Sequence, residues 1–511
     1  MEPETLAQAG TEETTGGDPA TLKNYIGGRW VESAASETID DIDPATGEVL
    51  ARVPLSTTAD VDAAAAAARA AQPAWAALAV AKRARAVFAL REALWAHQDE
   101  LTRLVTQDMG KALDDARGEV GRGIESTENA CGIPNLLKGE TLEGVATGVD
   151  VEMWRQPVGV VAAITPFNFP AMIPLWFLPY AIACGNTFIL KPSERDPRTS
   201  QRIVELIDGI DQIPAGVVNL LHGAHEAVDG LLDHPEIDAI SFVGQATTAL
   251  HVMERGTKSG KRVQALGGAK NSMVVMDDAD LDLAVPAMMQ SAFGNAGQRC
   301  LAGSVAVVVG DEARREEVRS ALAEAASTLP TGNGSEEGVV CPPMVGADAR
   351  DRVSDAVDRA VGEGSEVVVD GRDRTNDAGA LMGPTIVTAP DLESELAREE
   401  LFGPVLALVE VDDLDSALDF VNASRYGNAS VIFTASGEAV RRFRHEVEAG
   451  MVGVNVGVPA PVAWFPFAGW KDSMVGDLHA NGHDAVEFYT RKKVVTSRWQ
   501  PAKKGAAFGT H

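Results

Sequence analysis

Residues 294–300 read GNAGQRC and place a cysteine, Cys300, behind two glycines and directly after Arg299. A thiol is a strong nucleophile in its thiolate form, which nearby positive charge favours. Glycine leaves main-chain N–H groups open to a ligand, and the planar fork of Arg299 suits a carboxylate. A cysteine kept only for packing more often lies in an apolar run, as Cys184 does in AIACGN. Covalent thiol chemistry is what this stretch suits best.

Three further stretches end in polar residues that could serve such chemistry. TPFNFP (165–170) follows the run VGVVAAI, so Asn168 falls at the carboxyl end of an expected parallel strand, where open α/β sheets bind ligands. Its amide can donate to an oxyanion, although an Asx-type turn explains it equally well. KPSER (191–195) follows NTFIL and sets Lys191 and Glu194 three apart. That spacing suits the two hydroxyls of an adenosine ribose, and Glu194 would repel a 2′-phosphate, favouring NAD over NADP. A turn entering a helix gives the same pattern. ELFGP (400–404) offers Glu400 and Phe402, either a hold for a nicotinamide riboside or an ordinary turn. In SFVGQATT (241–248), Gly244 ends a strand before a helix able to face a pyrophosphate, yet the chain has no GxGxxG.

The elements that must position these residues follow from periodicity. From VDAAAAAARAAQPAW to about GRGIESTENACG, apolar residues recur three and four apart, which predicts two or three long helices. Beyond residue 158 the β-rich runs VGVVAAIT, NTFILK, VVNLLHG and DAISFVG alternate with the amphipathic SQRIVELIDGI and EAVDGLLDH. Such alternation predicts an α/β fold with a parallel sheet covered on both faces. The runs KNSMVVM, SVAVVV, EVVVDG, PVLALVEV and SVIFTA repeat it, so a second α/β domain is expected from near residue 270. The apolar stretch 173–190 is broken by Pro179, Gly185 and Asn186, and reads as a buried helix and strand rather than a membrane span. Residues 1–21 read as a disordered acidic leader without the marks of a signal peptide, so a cytoplasmic protein is expected.

The 511 residues carry 44 basic and 74 acidic side chains, a net charge of −30. That field opposes nucleic acid and anionic membranes as partners. With 13 lysines against 31 arginines, the acid excess fits adaptation to high salt, and a GC-rich genome gives the alternative account of the arginines. The four cysteines, Cys131, Cys184, Cys300 and Cys341, show no metal-ligand spacing, so neither a metal site nor a disulfide framework is expected.

Taken in order, GEVGRGIE, TPFNFP, NTFILKPSER, HPEIDAISFVG, VQALGGAKN, GNAGQRC, GVNVGVPAPVAWFPFAGWK and FYTRKKVVTSRW resemble the aldehyde dehydrogenase superfamily over about residues 22–500. The resemblance is closer still to its CoA-acylating methylmalonate-semialdehyde (or malonate-semialdehyde) dehydrogenase branch. It implies a Rossmann-type NAD-binding domain from 22–140 and 158–266, and a catalytic α/β domain from 267–483. Strands in 141–157 and 484–500 would join subunits into a homodimer or tetramer. Cys300 would be the nucleophile, and Asn168 with the Cys300 N–H would hold the oxyanion. Thr165, Phe167, Lys191, Glu194, Arg195, Gln245, Gly267 and Glu400 fall where the family contacts NAD. Gln245 departs from the serine common at its position. Arg122 and Arg299 match the branch's two carboxylate-binding arginines, although Arg122 taken alone reads as a solvated helix charge.

Aligning VQALGGAKN on its lysine puts Leu266 where hydrolytic members have a glutamate base. Leucine cannot activate water, so an acyl thioester on Cys300 would await a better nucleophile, the CoA thiol. The implied reaction is oxidation of the semialdehyde with NAD, loss of carbon dioxide, and release of propionyl-CoA or acetyl-CoA. The alternative is a hydrolytic NAD-dependent semialdehyde dehydrogenase that releases the free acid.

Overall fold

The computed structural model describes residues 18–499, so nearly all of the expected leader lies outside the described residues. The alanine-rich region forms four helices, Thr58–Ala76, Val80–Ala96, Gln98–Met109 and Leu113–Cys131, rather than two or three. The last break is made by Gly110, whose φ of 86° ends the third helix in the left-handed conformation that glycine adopts without strain. The stretch beginning at Ile173 is a helix, Met172–Ala183, followed by the strand Thr187–Lys191, as expected. Its side chains are apolar on every side, and all of them are buried. Against it packs the Leu113–Cys131 helix, where Gly123 leaves room for Leu175.

Two α/β sheets form the body of the fold. The first has eight strands, with a parallel run in the order Val218–Leu220, Thr187–Lys191, Val160–Ile164, Ala239–Val243, Arg262–Leu266. The chain begins this run in the middle, moves out to one side, then returns to build the other. Connections therefore leave the carboxyl ends of the two central strands in opposite directions, and a ligand crevice opens there. The second sheet has seven strands, with the parallel order Thr385–Thr388, Val405–Val411, Gly303–Val309, Asn271–Val275, Ala429–Phe433, Met451–Val454. The first of its strands in chain order begins at Asn271.

The chain then goes back. Met474–Val475 pairs antiparallel with Ala265–Leu266 on the edge of the first sheet, and Phe467, Ala480, Val486 and Phe488 are buried in that sheet's core. The span 267–483 expected for the second unit thus overshoots, because the apolar residues of its last stretch find their burial on the first. Glu140–Ala146, Val149–Pro157 and Thr490–Arg498 make a separate three-stranded sheet. Residues 484–488, expected as strand, close the helix Gly482–Phe488 instead. Among the described residues no helix is long and apolar enough to cross a membrane.

Candidate active site

Cys300 lies between the helix Leu281–Phe293 and the strand Gly303–Val309, at the amino end of the second sheet. The connection makes a left-handed turn through Asn295, Ala296 and Gly297, at φ of 54°, 51° and 68°. Two non-glycine residues in that region cost about 1–2 kcal/mol each, so the surroundings must hold them there. The Asn295 amide donates to the Gln298 carbonyl at 3.1 Å, and the Gln298 side chain accepts from the Val345 N–H at 3.0 Å. Gly297 abuts the Gly403 carbonyl, where a Cβ would collide. The Cys300 carbonyl accepts from the side-chain amides of Asn271 at 2.9 Å and Asn428 at 2.8 Å. The Cys300 main chain is thus held by two side chains at or just before the starts of neighbouring strands.

Burial pushes the Cys300 thiol up to about 12, and the Glu400 carboxylate adds to the rise. The N–H groups of Cys300 and Leu301 and the Lys111 ammonium pull the other way. The resting thiol is therefore protonated. The expectation that Arg299 primes the thiolate is corrected by its partner: its guanidinium is paired with Asp115 at 2.5 Å, which offsets its charge. Asp115 also accepts from Gln290 at 3.3 Å.

A pocket of about 330 Å³ opens at Cys300, lined by Arg299, Arg122, Asp115, Phe169 and Trp176 among others. One face of the Leu113–Cys131 helix supplies Asp115, Glu119 and Arg122, spaced by four and three, and Lys111 just before the helix joins them. Arg122 is exposed, donates to the Pro461 carbonyl at 3.2 Å, and has no ion pair among the described residues. Both expected arginines thus reach one pocket, one neutralised and one open.

Asn168 is buried in the loop after the Val160–Ile164 strand. Thr165 in the same loop donates its N–H to the Lys191 carbonyl at 3.1 Å, and its buried hydroxyl has no partner. Lys191 and Glu194 form an ion pair at 2.9 Å. Burial alone would raise the Glu194 carboxyl, but the charge and hydrogen bond of Lys191 outweigh it and hold the group below its usual range. Phe167 meets Phe402 edge-on at 5.9 Å, and Phe402 is itself left-handed at φ 56°. Glu400 accepts from the Ala269 N–H at 3.1 Å, beside Gly268 where a Cβ would crowd it, and burial raises its carboxyl to about 7.

Gln245 is exposed at the start of the helix Ala246–Lys258 and makes no side-chain cap, leaving first-turn N–H groups for an anion. Gly267 donates to the Ser473 carbonyl at 2.9 Å where the chain crosses between the sheets. Arg195 is turned away from this set, since its fork is occupied by Asp348 at 3.0 Å. Leu266 ends its strand buried in the first sheet's core, with its carbonyl accepting from the Gly244 N–H at 3.0 Å. The orphaned Thr165 hydroxyl, the Lys191–Glu194 pair, the free helix start and Glu400 together form a set of partners that a dinucleotide fits. Sequence reasoning missed Lys111, Asp115, Glu119, Asn271 and Asn428; only the first three carry a signal, their helical spacing with Arg122.

The aldehyde dehydrogenase family profile matches residues 30–495. Malonate-semialdehyde dehydrogenase 1 of Geobacillus kaustophilus is 50% identical over 484 residues, 94% of this chain and 98% of that one. The crystal structure of methylmalonate-semialdehyde dehydrogenase from Oceanimonas doudoroffii superposes with a TM-score of 0.92 at 43% identity, covering 94% of this chain and 99% of that one. A Sinorhizobium meliloti protein provisionally assigned the same activity, and complexed with NAD, gives a TM-score of 0.93 at 41% identity over 95% of this chain and 99% of its own. With two sheets meeting at a pinned cysteine, and with relatives matched over nearly their whole lengths, this chain belongs to the aldehyde dehydrogenase family.

Proposed function

We propose that this protein oxidises malonate semialdehyde, methylmalonate semialdehyde or both with NAD, and passes the decarboxylated acyl group from Cys300 to CoA. The names of its relatives support the substrate class, and the NAD-bound relative supports the cofactor. Lys191, Glu194, Thr165, the start of the Ala246–Lys258 helix and Glu400 would hold NAD, which supplies the hydride acceptor. The Cys300 thiol gives up its proton to solvent as its sulphur adds to the aldehyde carbon, while Asn168 and the Cys300 N–H receive the oxyanion. Loss of hydride leaves a thioester on Cys300. Arg122, with Arg299 behind it, holds the β-carboxylate, which departs as carbon dioxide and leaves its electron pair on the carbon next to the thioester, to be protonated there.

What supports acyl transfer is Leu266, buried and apolar at the position that the resemblance, aligned on Lys270, gives to the base of hydrolytic members. Glu119 in the same pocket is tied to Lys111, and Asp115 to Arg299, so neither is a free base. The exposed apolar residues Leu142, Trp154 and Val494 of the three-stranded sheet support a homo-oligomer built through it. A cytoplasmic location suits an enzyme that draws on both NAD and CoA. The test is NADH formation from malonate semialdehyde with and without CoA, with Cys300→Ala as control. Steady turnover should require CoA, leaving only a single-turnover burst in its absence. Sustained turnover without CoA would overturn the proposal in favour of hydrolysis.

A further inference from the structure

Lys111 and Glu119 form an ion pair with almost no exposure, 1% and 0% of their side chains. Every remaining polar contact the two make goes to one short segment. The Lys111 ammonium donates to the Asn168 carbonyl at 2.7 Å and lies 4.0 Å over the Phe169 ring. One Glu119 oxygen accepts from the N–H groups of Ala171 at 2.8 Å and Met172 at 3.2 Å. The pair therefore clamps residues 168–172, the turn between the Val160–Ile164 strand and the Met172–Ala183 helix. Both residues also line the Cys300 pocket.

Stability alone gives a poor account of this arrangement. A buried pair recovers its desolvation cost badly, and apolar residues of the same size often serve a core better. What the pair does provide is a fixed main chain at Asn168 and at the start of the Met172–Ala183 helix.

We propose that Lys111 and Glu119 are positioning residues of the oxyanion site, setting the Asn168 amide through its main chain. This rests on the assignment of Cys300 and Asn168 made above, though not on the identity of the acyl acceptor. The clamp acts on the first half of the reaction, before CoA enters. The carbonyl of Asn168 belongs to the peptide plane that follows its Cα, so a donor on that oxygen fixes the direction in which its side chain leaves.

The test uses the full-length enzyme carrying Lys111→Met together with Glu119→Gln. This removes both charges while the amide oxygen still accepts from Ala171 and Met172. The rate of the NADH burst should fall roughly 10- to 100-fold, as when an oxyanion donor is displaced, with KM for NAD within about threefold. Adding Asn168→Ala should cost less in the double variant than in the native enzyme, because the same contact is already lost. A native burst rate would overturn the proposal, as would full additivity with Asn168→Ala. An insoluble or early-melting double variant would place the pair in fold stability and equally overturn it. Since the burst needs no CoA, a failure of the acyl-transfer reading shows separately, as turnover that persists without it.

Discussion

At the scale of single residues, the pocket is divided between a paired and an unpaired arginine. Arg299 is already charge-compensated by Asp115, so a substrate carboxylate gains less from it than from Arg122. Arg122→Ala should raise KM for malonate semialdehyde roughly 10- to 100-fold, the loss of a charge-assisted contact of about 1.5–3 kcal/mol. KM for propanal, which has no carboxylate, should stay unchanged, and Arg299→Ala should have the smaller effect. Steady-state kinetics on both aldehydes check this; equal effects of the two substitutions would refute it. Both arginines were legible through the resemblance of their motifs. The pairing of Asp115 was not: its spacing with Arg122 sets it on the same helix face, but an aspartate there looks the same whether it faces solvent or a guanidinium from 184 residues away.

At the scale of elements, the nucleophile is held by the beginnings of strands. Asn271 opens an inner strand of the second sheet, and Asn428 stands just before its neighbour, and both amides converge on the Cys300 carbonyl. Asn428→Ala removes one of the two donors, a loss of about 1 kcal/mol. The melting temperature should fall by only about 1–3 °C, while kcat falls several-fold or more because the thiol loses its registration with Asn168. A thermal melt and a kcat measurement on one preparation decide it, and a fall in stability without a fall in kcat would count against it. The strands themselves were readable as β-branched runs ended by polar residues. The convergence was not, since no sequence period links residues as distant as 271, 300 and 428.

At the scale of the whole molecule, the net charge of −30 spreads over a surface of 22572 Å². Self-repulsion of this size weakens as the screening length falls from about 10 Å at 0.1 M salt to about 3 Å at 1 M. Exposed arginine–carboxylate pairs lose strength too, but each contributes little. The thermal midpoint should therefore rise as potassium chloride is raised from about 0.05 to about 1 M, as differential scanning calorimetry can show; a falling midpoint would mean that the ion pairs dominate. The α/β class was legible because strand and helix runs alternate along most of the chain. The return to the first sheet was not, because a two-residue strand such as Met474–Val475 has no periodicity to read.

That return also governs the order of assembly during synthesis. The strand Arg262–Leu266 receives its outer neighbour only when Met474–Val475 emerges, about 200 residues later. At ribosomal rates the interval is on the order of 10–40 s. Throughout it, a nascent chain that has already built its parallel run presents an open β edge to whatever else is being made nearby. The enzyme's yield in a cell is thus tied to what shields that edge, and a chain terminated anywhere before residue 474 leaves it open for good.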